Sequence, residues 1–204
     1  MINDKYFKST ICNIYFDTVN NDLIINSLEK QVFKEKIRLR SYQVPGINDD
    51  VFLKIKGKYM KVVGKRRIKI KLKDFYDYLE TNNYDKSNQI MNEINYYFKY
   101  YGLKPAIYIA YDRVSYCSND DKGLRITVVS NLRSRNNNLK LELGDTGKYY
   151  FKDGNYIMEI KTLGSMPLWL VRNLSELKIY PTSFSKYGSI YQSELKERND
   201  YVYA

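Results

Sequence analysis

The residues best suited to chemistry in this sequence are cations placed at every second position. Arg38 and Arg40 flank Leu39; Lys54, Lys56 and Lys58 alternate with Ile55 and its neighbours; Lys65, Arg67, Lys69 and Lys71 oppose Ile68, Ile70 and Leu72. In an extended chain, residues two apart share a face, so each run puts its charges on one side and its aliphatic groups on the other. Later segments repeat the split: Arg113 with Tyr111, Arg125 with Thr127, and Glu159 with Lys161 opposite Met158 and Ile160. In any one strand this is the ordinary solvated side of an antiparallel sheet. Across several strands the excess of Lys and Arg over Asp and Glu is less ordinary. Like charges on neighbouring strands repel by roughly 0.2–1 kcal/mol a pair unless an anion sits between them. Guanidinium forks grip phosphate oxygens in pairs and lysines act as mobile point charges, so such a face suits a polyanion.

Histidine is absent. That removes Ser-His and Cys-His nucleophiles, His-ligated zinc and imidazole bases. Phosphoryl transfer survives the exclusion, because it rests on positioning and electrostatics more than on a base. Cys12 and Cys117 show no C-x-x-C spacing and read as small apolar strand residues.

The alternation predicts eight strands, near 11–17, 34–42, 51–58, 62–72, 106–114, 123–130, 139–143 and 156–162, six of which carry these side chains. Turn clusters at 45–49 and 118–123 separate some of them. A helix over 87–101 presents Ile90, Ile94, Tyr97, Phe98 and Tyr101 on one face, with Ser87 to cap it and Gly102 to end it. Shorter helices are predicted over 74–80, 167–177 and 185–196, with Trp169 packing its helix onto the sheet. Asp17 and Asp112 read as turn organisers or arginine partners rather than chemical groups. The class is α+β with a largely antiparallel sheet, organised as one domain over 1–204.

The chain has 204 residues, 34 Lys plus Arg and 23 Asp plus Glu, a formal charge of +11. Nucleic acid, an anionic membrane, a phosphate chain or mere compositional bias would all fit that number. No apolar run spans a bilayer and the N-terminus lacks signal-peptide character, so the expected location is the cytoplasm. A flat basic sheet would meet nucleic acid, but no RNP-like aromatic motif lies on the basic strands, and nucleic acid ranks last. A sheet curled with this face inside would form a polar channel holding water or a polyanion, because unpaired cations are too costly to desolvate.

Four blocks together resemble the VTC domain, the polyphosphate polymerase branch of the CYTH-like triphosphate tunnel metalloenzymes. They are Ile14-Tyr15-Phe16-Asp17-Thr18 followed by Lys36-Ile37-Arg38-Leu39-Arg40-Ser41-Tyr42; Tyr111-Asp112-Arg113 with Leu124-Arg125-Ile126-Thr127; Met158-Glu159-Ile160-Lys161; and Ser183-Phe184-Ser185-Lys186-Tyr187. The resemblance implies an eight-stranded antiparallel β-barrel tunnel with helices outside. It further implies transfer of the ATP γ-phosphoryl group onto inorganic polyphosphate. Arg38, Arg40, Lys56, Arg113 and Arg125 match the catalytic cations; these five with Lys65, Arg67, Lys161 and Lys186 form the implied phosphate-binding set. Glu159 matches the carboxylate that holds a divalent metal, Mn2+ or Mg2+. Two departures stand out. The family's domain begins with a strand carrying Glu and Lys well before the Tyr-Phe-Asp motif, whereas ten residues precede Ile11 here; the tunnel is then open, or completed by another chain such as a second copy. The family also often has Glu-x-Lys where this chain has Lys54-Ile55-Lys56. Both changes remove negative charge, favouring anion binding over metal binding. A tripolyphosphate or nucleoside triphosphate hydrolase, and a non-catalytic polyphosphate or inositol-phosphate binder, are the competing functions.

Overall fold

A computed structural model describes residues 1–202 apart from 61, 120–122 and 152–153, and of 4–6 and 198–202 it describes the backbone alone. The strands are β1 (Ile2–Asp17), β2 (Phe33–Ser41), β3 (Asp50–Tyr59), β4 (Val62–Lys71), β5 (Lys104–Cys117), β6 (Arg125–Arg135), β7 (Lys148–Tyr149) and β8 (Ile157–Lys161). The helices are α1 (Asp22–Leu28), α2 (Leu72–Thr81), α3 (Gln89–Tyr101), α4 (Leu168–Glu176) and α5 (Lys186–Val202). All eight strands join one antiparallel sheet in the order β4-β3-β2-β1-β5-β6-β7, with β8 on β6 beside β7.

The expected closed tunnel is therefore corrected to an open sheet. Among the described residues β4 pairs only with β3 and β8 only with β6, so the two ends of the sheet share no ladder. Strands distant in this order nonetheless lie within electrostatic reach of one another: Lys161 of β8 acts on Lys54 of β3, and Arg40 of β2 on Glu159 of β8.

Both faces of the sheet are packed, which explains how short alternating segments build a stable layer. On one face Cys12, Ile14, Phe16, Ile37, Leu39, Val51, Leu53 and Ile55 form the larger core under α2 and α3, with Phe75, Tyr78, Met91 and Ile94 from the helices. Each such side chain contributes on the order of 1.5–3 kcal/mol when fully buried. On the other face Ile11, Tyr15, Ile107, Ile109, Tyr111 and Val129 pack against Tyr187 and Ile190 of α5 and Ile24 of α1. The face that carries the cations is thus half apolar, and α5 covers the apolar half. β1 is the central strand and pairs with β2 on one side and β5 on the other.

Several sequence expectations change. The segment 139–143 is no strand. Leu141 is buried in the larger core, and the backbone there bonds to side chains: Leu141 N to Tyr76 Oη, and Lys140 O accepting from Arg135. Those bonds replace the ladder that a strand would need. The N-cap of α3 is Asn88 rather than Ser87, its side chain accepting from Ile90 N and Met91 N; Gly102 does end that helix, at φ 60°. In α4 the buried residue is Leu170, and Trp169 is 48% exposed, one position round the helix from the inward side. The turn expected at 118–123 lies partly outside the described residues. Cys12 is buried and Cys117 half-buried, both as free thiols.

Helix α1, invisible in the sequence, begins where Asp17 ends β1. The buried Asp17 carboxylate accepts from Thr18 N, Leu23 N and Ile24 N at 2.9, 2.8 and 3.1 Å, and from Tyr187 Oη at 3.1 Å. One carboxylate therefore ties β1, α1 and α5 together. Replacing it by Ala strands several buried donors, at about 1–3 kcal/mol each. Asp17→Ala is expected to cost at least about 2 kcal/mol of unfolding free energy, measured as a lower urea midpoint at unchanged slope.

Candidate phosphate-binding site

Ladder register puts the sequence-marked cations in rows across the β2–β3–β4 half of the α5 face. Lys36 lies opposite Lys56, which lies opposite Lys65; Arg38 lies opposite Lys54, which lies opposite Arg67; Arg40 lies opposite Phe52, which lies opposite Lys69. The same face continues through Arg113 on β5, Arg125 on β6 and Lys161 on β8, the last two directly paired. Lys186, the first residue of α5, reaches over from the helix. Arg38, Arg40, Arg113 and Lys186 are half-buried, whereas Lys56, Lys65, Arg67, Arg125 and Lys161 are exposed. The residues expected to bind phosphate are thus brought to one face, with Arg38, Arg40, Arg113 and Lys186 its more buried members.

Aromatic groups and neutral acceptors hold many of these cations in place of carboxylates. Arg38 donates to Tyr15 Oη at 3.0 Å and its guanidinium lies 5.8 Å from the centre of that ring. Arg40 donates from Nε to Asn13 Oδ1 at 2.7 Å and from Nη2 to Tyr111 Oη at 3.0 Å. Lys54 sits 5.7 and 5.6 Å from the ring centres of Tyr42 and Phe52, Arg67 5.0 Å from Phe52, Arg113 5.7 Å from Tyr42, and Lys186 4.7 Å from Tyr111. Lys36 donates to Ser185 Oγ at 2.8 Å, just before α5. Each cation–ring contact is worth on the order of 0.5–2 kcal/mol and leaves the cation's other side available. The sequence signal for this role is parity: Tyr42 is in step with Arg38 and Arg40, and Tyr111 with Arg113.

The electrostatics record the crowding. Burial works against ionisation of Tyr15, yet Arg38, Arg40 and Lys186 outweigh it and pull the phenol below its ordinary range. Burial, then neighbouring cations, lowers Lys36 and Lys56 from the usual lysine range. Glu159 is also opposed by burial, but Lys186, Lys161 and Arg40 hold its carboxyl below the ordinary value. Its partner is Lys186, at 2.5 Å, and not the adjacent Lys161.

That pairing bears on the divalent metal implied by the family resemblance. Among the described residues no three carboxylate, cysteine or histidine groups gather as metal ligands. Glu159 is already bonded to an ammonium, and Lys54 stands where a second carboxylate would help. Hard divalent ions are held by several oxygens, commonly one or two carboxylates with water and phosphate. The side chains present do not by themselves fit a resident metal.

A cleft of about 530 Å3 lies elsewhere, between β6, β7 and α5, lined in part by Arg135, Lys148, Glu194 and Glu197. Its cations are committed: Arg135 donates to the carbonyls of Asn138, Lys140, Gly144 and Thr146, and Lys148 pairs with Glu197. It offers an anion far less than the basic rows do. Among the described residues no helix is long and apolar enough to cross a membrane.

The fold is similar to that of a proposed adenylate cyclase from Bacillus halodurans. That structure is 12% identical, with a TM-score of 0.52, and the match covers 89% of this chain and 81% of that one. A proposed adenylate cyclase from Vibrio parahaemolyticus is 13% identical over 86% of this chain and 70% of its own, at a TM-score of 0.42. The PH1819 protein of Pyrococcus horikoshii is 16% identical over 92% and 85%, at 0.45. The chain belongs to the VTC-domain family, whose profile matches residues 2–194. No curated protein sequence matches it.

Asn13 provides a test of this geometry that leaves every cation in place. Buried on β1, it donates to Ile109 O at 3.0 Å while its carbonyl orients Arg40. Asn13→Leu removes the acceptor, and tripolyphosphate affinity measured by calorimetry is expected to fall by roughly tenfold, about 1.4 kcal/mol.

Proposed function

We propose that the basic face binds linear phosphate chains, and that the reaction it serves is transfer of the ATP γ-phosphoryl group onto inorganic polyphosphate. The observation that carries this reading is the run of cross-strand cation rows with few carboxylates between them. Such an arrangement is costly when empty and relieved when an anion with regularly spaced charges lies along it. Arg38 and Arg40, oriented by Tyr15, Asn13 and Tyr111, are the central forks. Lys56, Lys65 and Arg67 extend the track toward β4, and Arg113, Arg125, Lys161 and Lys186 toward β8 and α5. Their role is to align two phosphate chains and to offset charge that builds on the transferring group, which is the main protein contribution in phosphoryl transfer. VTC-domain membership supports the choice of polyphosphate as acceptor.

The ion pair between Glu159 and Lys186 favours a second reading, a polyphosphate or inositol-phosphate binder that works without metal. Hydrolysis of tripolyphosphate or nucleoside triphosphate is distinguished by its product, free phosphate in place of a longer chain.

Incubation of the protein with ATP and Mn2+, followed by gel analysis, is expected to yield phosphate chains. Absence of chains together with tripolyphosphate binding that survives EDTA and Glu159→Ala would select the second reading. Arg38→Met or Arg40→Met is expected to weaken tripolyphosphate binding by roughly ten- to a hundredfold, and wild-type affinity is expected to fall steeply with added salt. Unchanged affinity in both variants would overturn the placement of the site.

A further inference from the structure

Lys54 belongs to none of the phosphate-binding residues named by resemblance, yet it occupies the middle of the central row. On one side the ladder sets it opposite Arg38 of β2, and on the other opposite Arg67 of β4. Arg40 of β2 and Lys161 of β8 add their fields. Its two ring neighbours, Phe52 on β3 and Tyr42 just after β2, give it faces to rest on. Among the described residues no carboxylate forms an ion pair with it, and Glu159, the carboxylate on the β8 side, is engaged by Lys186. Lys56, in the adjacent row, is the next cation on its own strand.

We infer that Lys54 is a proton-linked phosphate ligand: uncharged in much of the empty site at neutral pH, it takes up a proton as a phosphate chain binds. This rests on the proposed binding of phosphate chains to the same face.

The physical grounds are geometric. Arginines stay charged at any ordinary pH, so in a row of Arg, Lys and Arg the lysine is the member able to relieve the repulsion by losing its proton. Burial first, then Arg40, Arg38, Arg67 and Lys161, lower its titration from 10.5 to about 7. A polyanion laid along the row reverses the sign of the local field and draws the titration back up. The sign follows from linkage: the bound form holds more protons than the free form at pH values above the free midpoint, so affinity rises as pH falls toward 7 and levels off below it. The empty site thereby carries less stored repulsion, and full charge appears when there is phosphate to meet it.

The test has a ligand-free arm and a binding arm. In protein carrying 13C-labelled lysine, the Lys54 side-chain resonance, identified by its loss in Lys54→Arg, is expected to titrate near pH 7 in the free protein. A midpoint above about 9, close to an ordinary lysine, overturns the inference whatever binds. In the binding arm, calorimetry with long-chain polyphosphate at pH 8, run in buffers of different ionisation enthalpy, is expected to show proton uptake. Lys54→Arg should bind with markedly less uptake, and its affinity should vary less with pH than that of wild type, which can change up to about tenfold per pH unit for one linked proton. Equal uptake in wild type and Lys54→Arg overturns the inference. If polyphosphate fails to bind at all, the functional reading fails separately. Sulfate then serves as the probe: an upward shift of the Lys54 midpoint with sulfate sustains the linkage, and an unmoved midpoint sinks it.

Discussion

Repulsion between cations that the sheet forces side by side is the constraint around which this structure is arranged. Strand register fixes Arg38, Lys54 and Arg67 across three neighbouring strands, and side chains two apart on a strand cannot turn to the other face without shifting the whole ladder. The usual remedy is a carboxylate opposite each cation, but that would also neutralise the face. Here Tyr15, Asn13, Tyr111, Tyr42 and Phe52 fix the cations while contributing no full negative charge. Apart from the Glu159–Lys186 pair, the proposed reading leaves electrostatic neutralisation to a bound phosphate chain.

The two cores follow from the same arrangement. A sheet with one face wholly given to cations would have only its other face to pack. This chain divides the charged face, placing Ile11, Ile107, Ile109 and Val129 in the β1–β5–β6 half where α5 can cover them. The helix seated there starts at Lys186 beside Glu159, so packing of the apolar half positions a residue of the charged half. Asp17 is the hinge pin of that relation, because its carboxylate reaches both α1 and Tyr187 of α5.

The period-2 pattern made most of this legible. Alternation of charge and aliphatic residues located seven of the strands and predicted which side chains share a face, because parity is a property of the chain alone. What escaped depended on contacts made across long sequence distances. Closure of the sheet is decided at the edges of β4 and β8, which alternation does not describe. The segment 139–143 has an apolar pattern compatible with a strand, but Tyr76 and Arg135 claim its backbone groups. Helix α1 is short, and its first turn is held by Thr18 and by Asp17 from the end of β1 rather than by its N-cap residue Asn21. Trp169 was assigned inward by its size, whereas the helix turns Leu170 to the protein instead. Parity puts Tyr42 and Tyr111 on the basic face, but whether a ring there packs or holds a guanidinium depends on contacts from other strands.

The position of β1 has a kinetic side. The β2–β3–β4 meander joins by short connections and can pair locally, but β1 meets β5 through contacts such as Asn13 to Ile109, 96 residues apart. Contacts of that separation carry a large loop-closure cost and form late. Arg38, Arg40, Lys54 and Arg67 lie on the near side of that seam, and Arg113, Arg125 and Lys161 on the far side. While the chain is folding, the two groups of cations are therefore kept apart, and their mutual repulsion is felt only once the seam has zipped and the hydrophobic layers on both faces are there to oppose it.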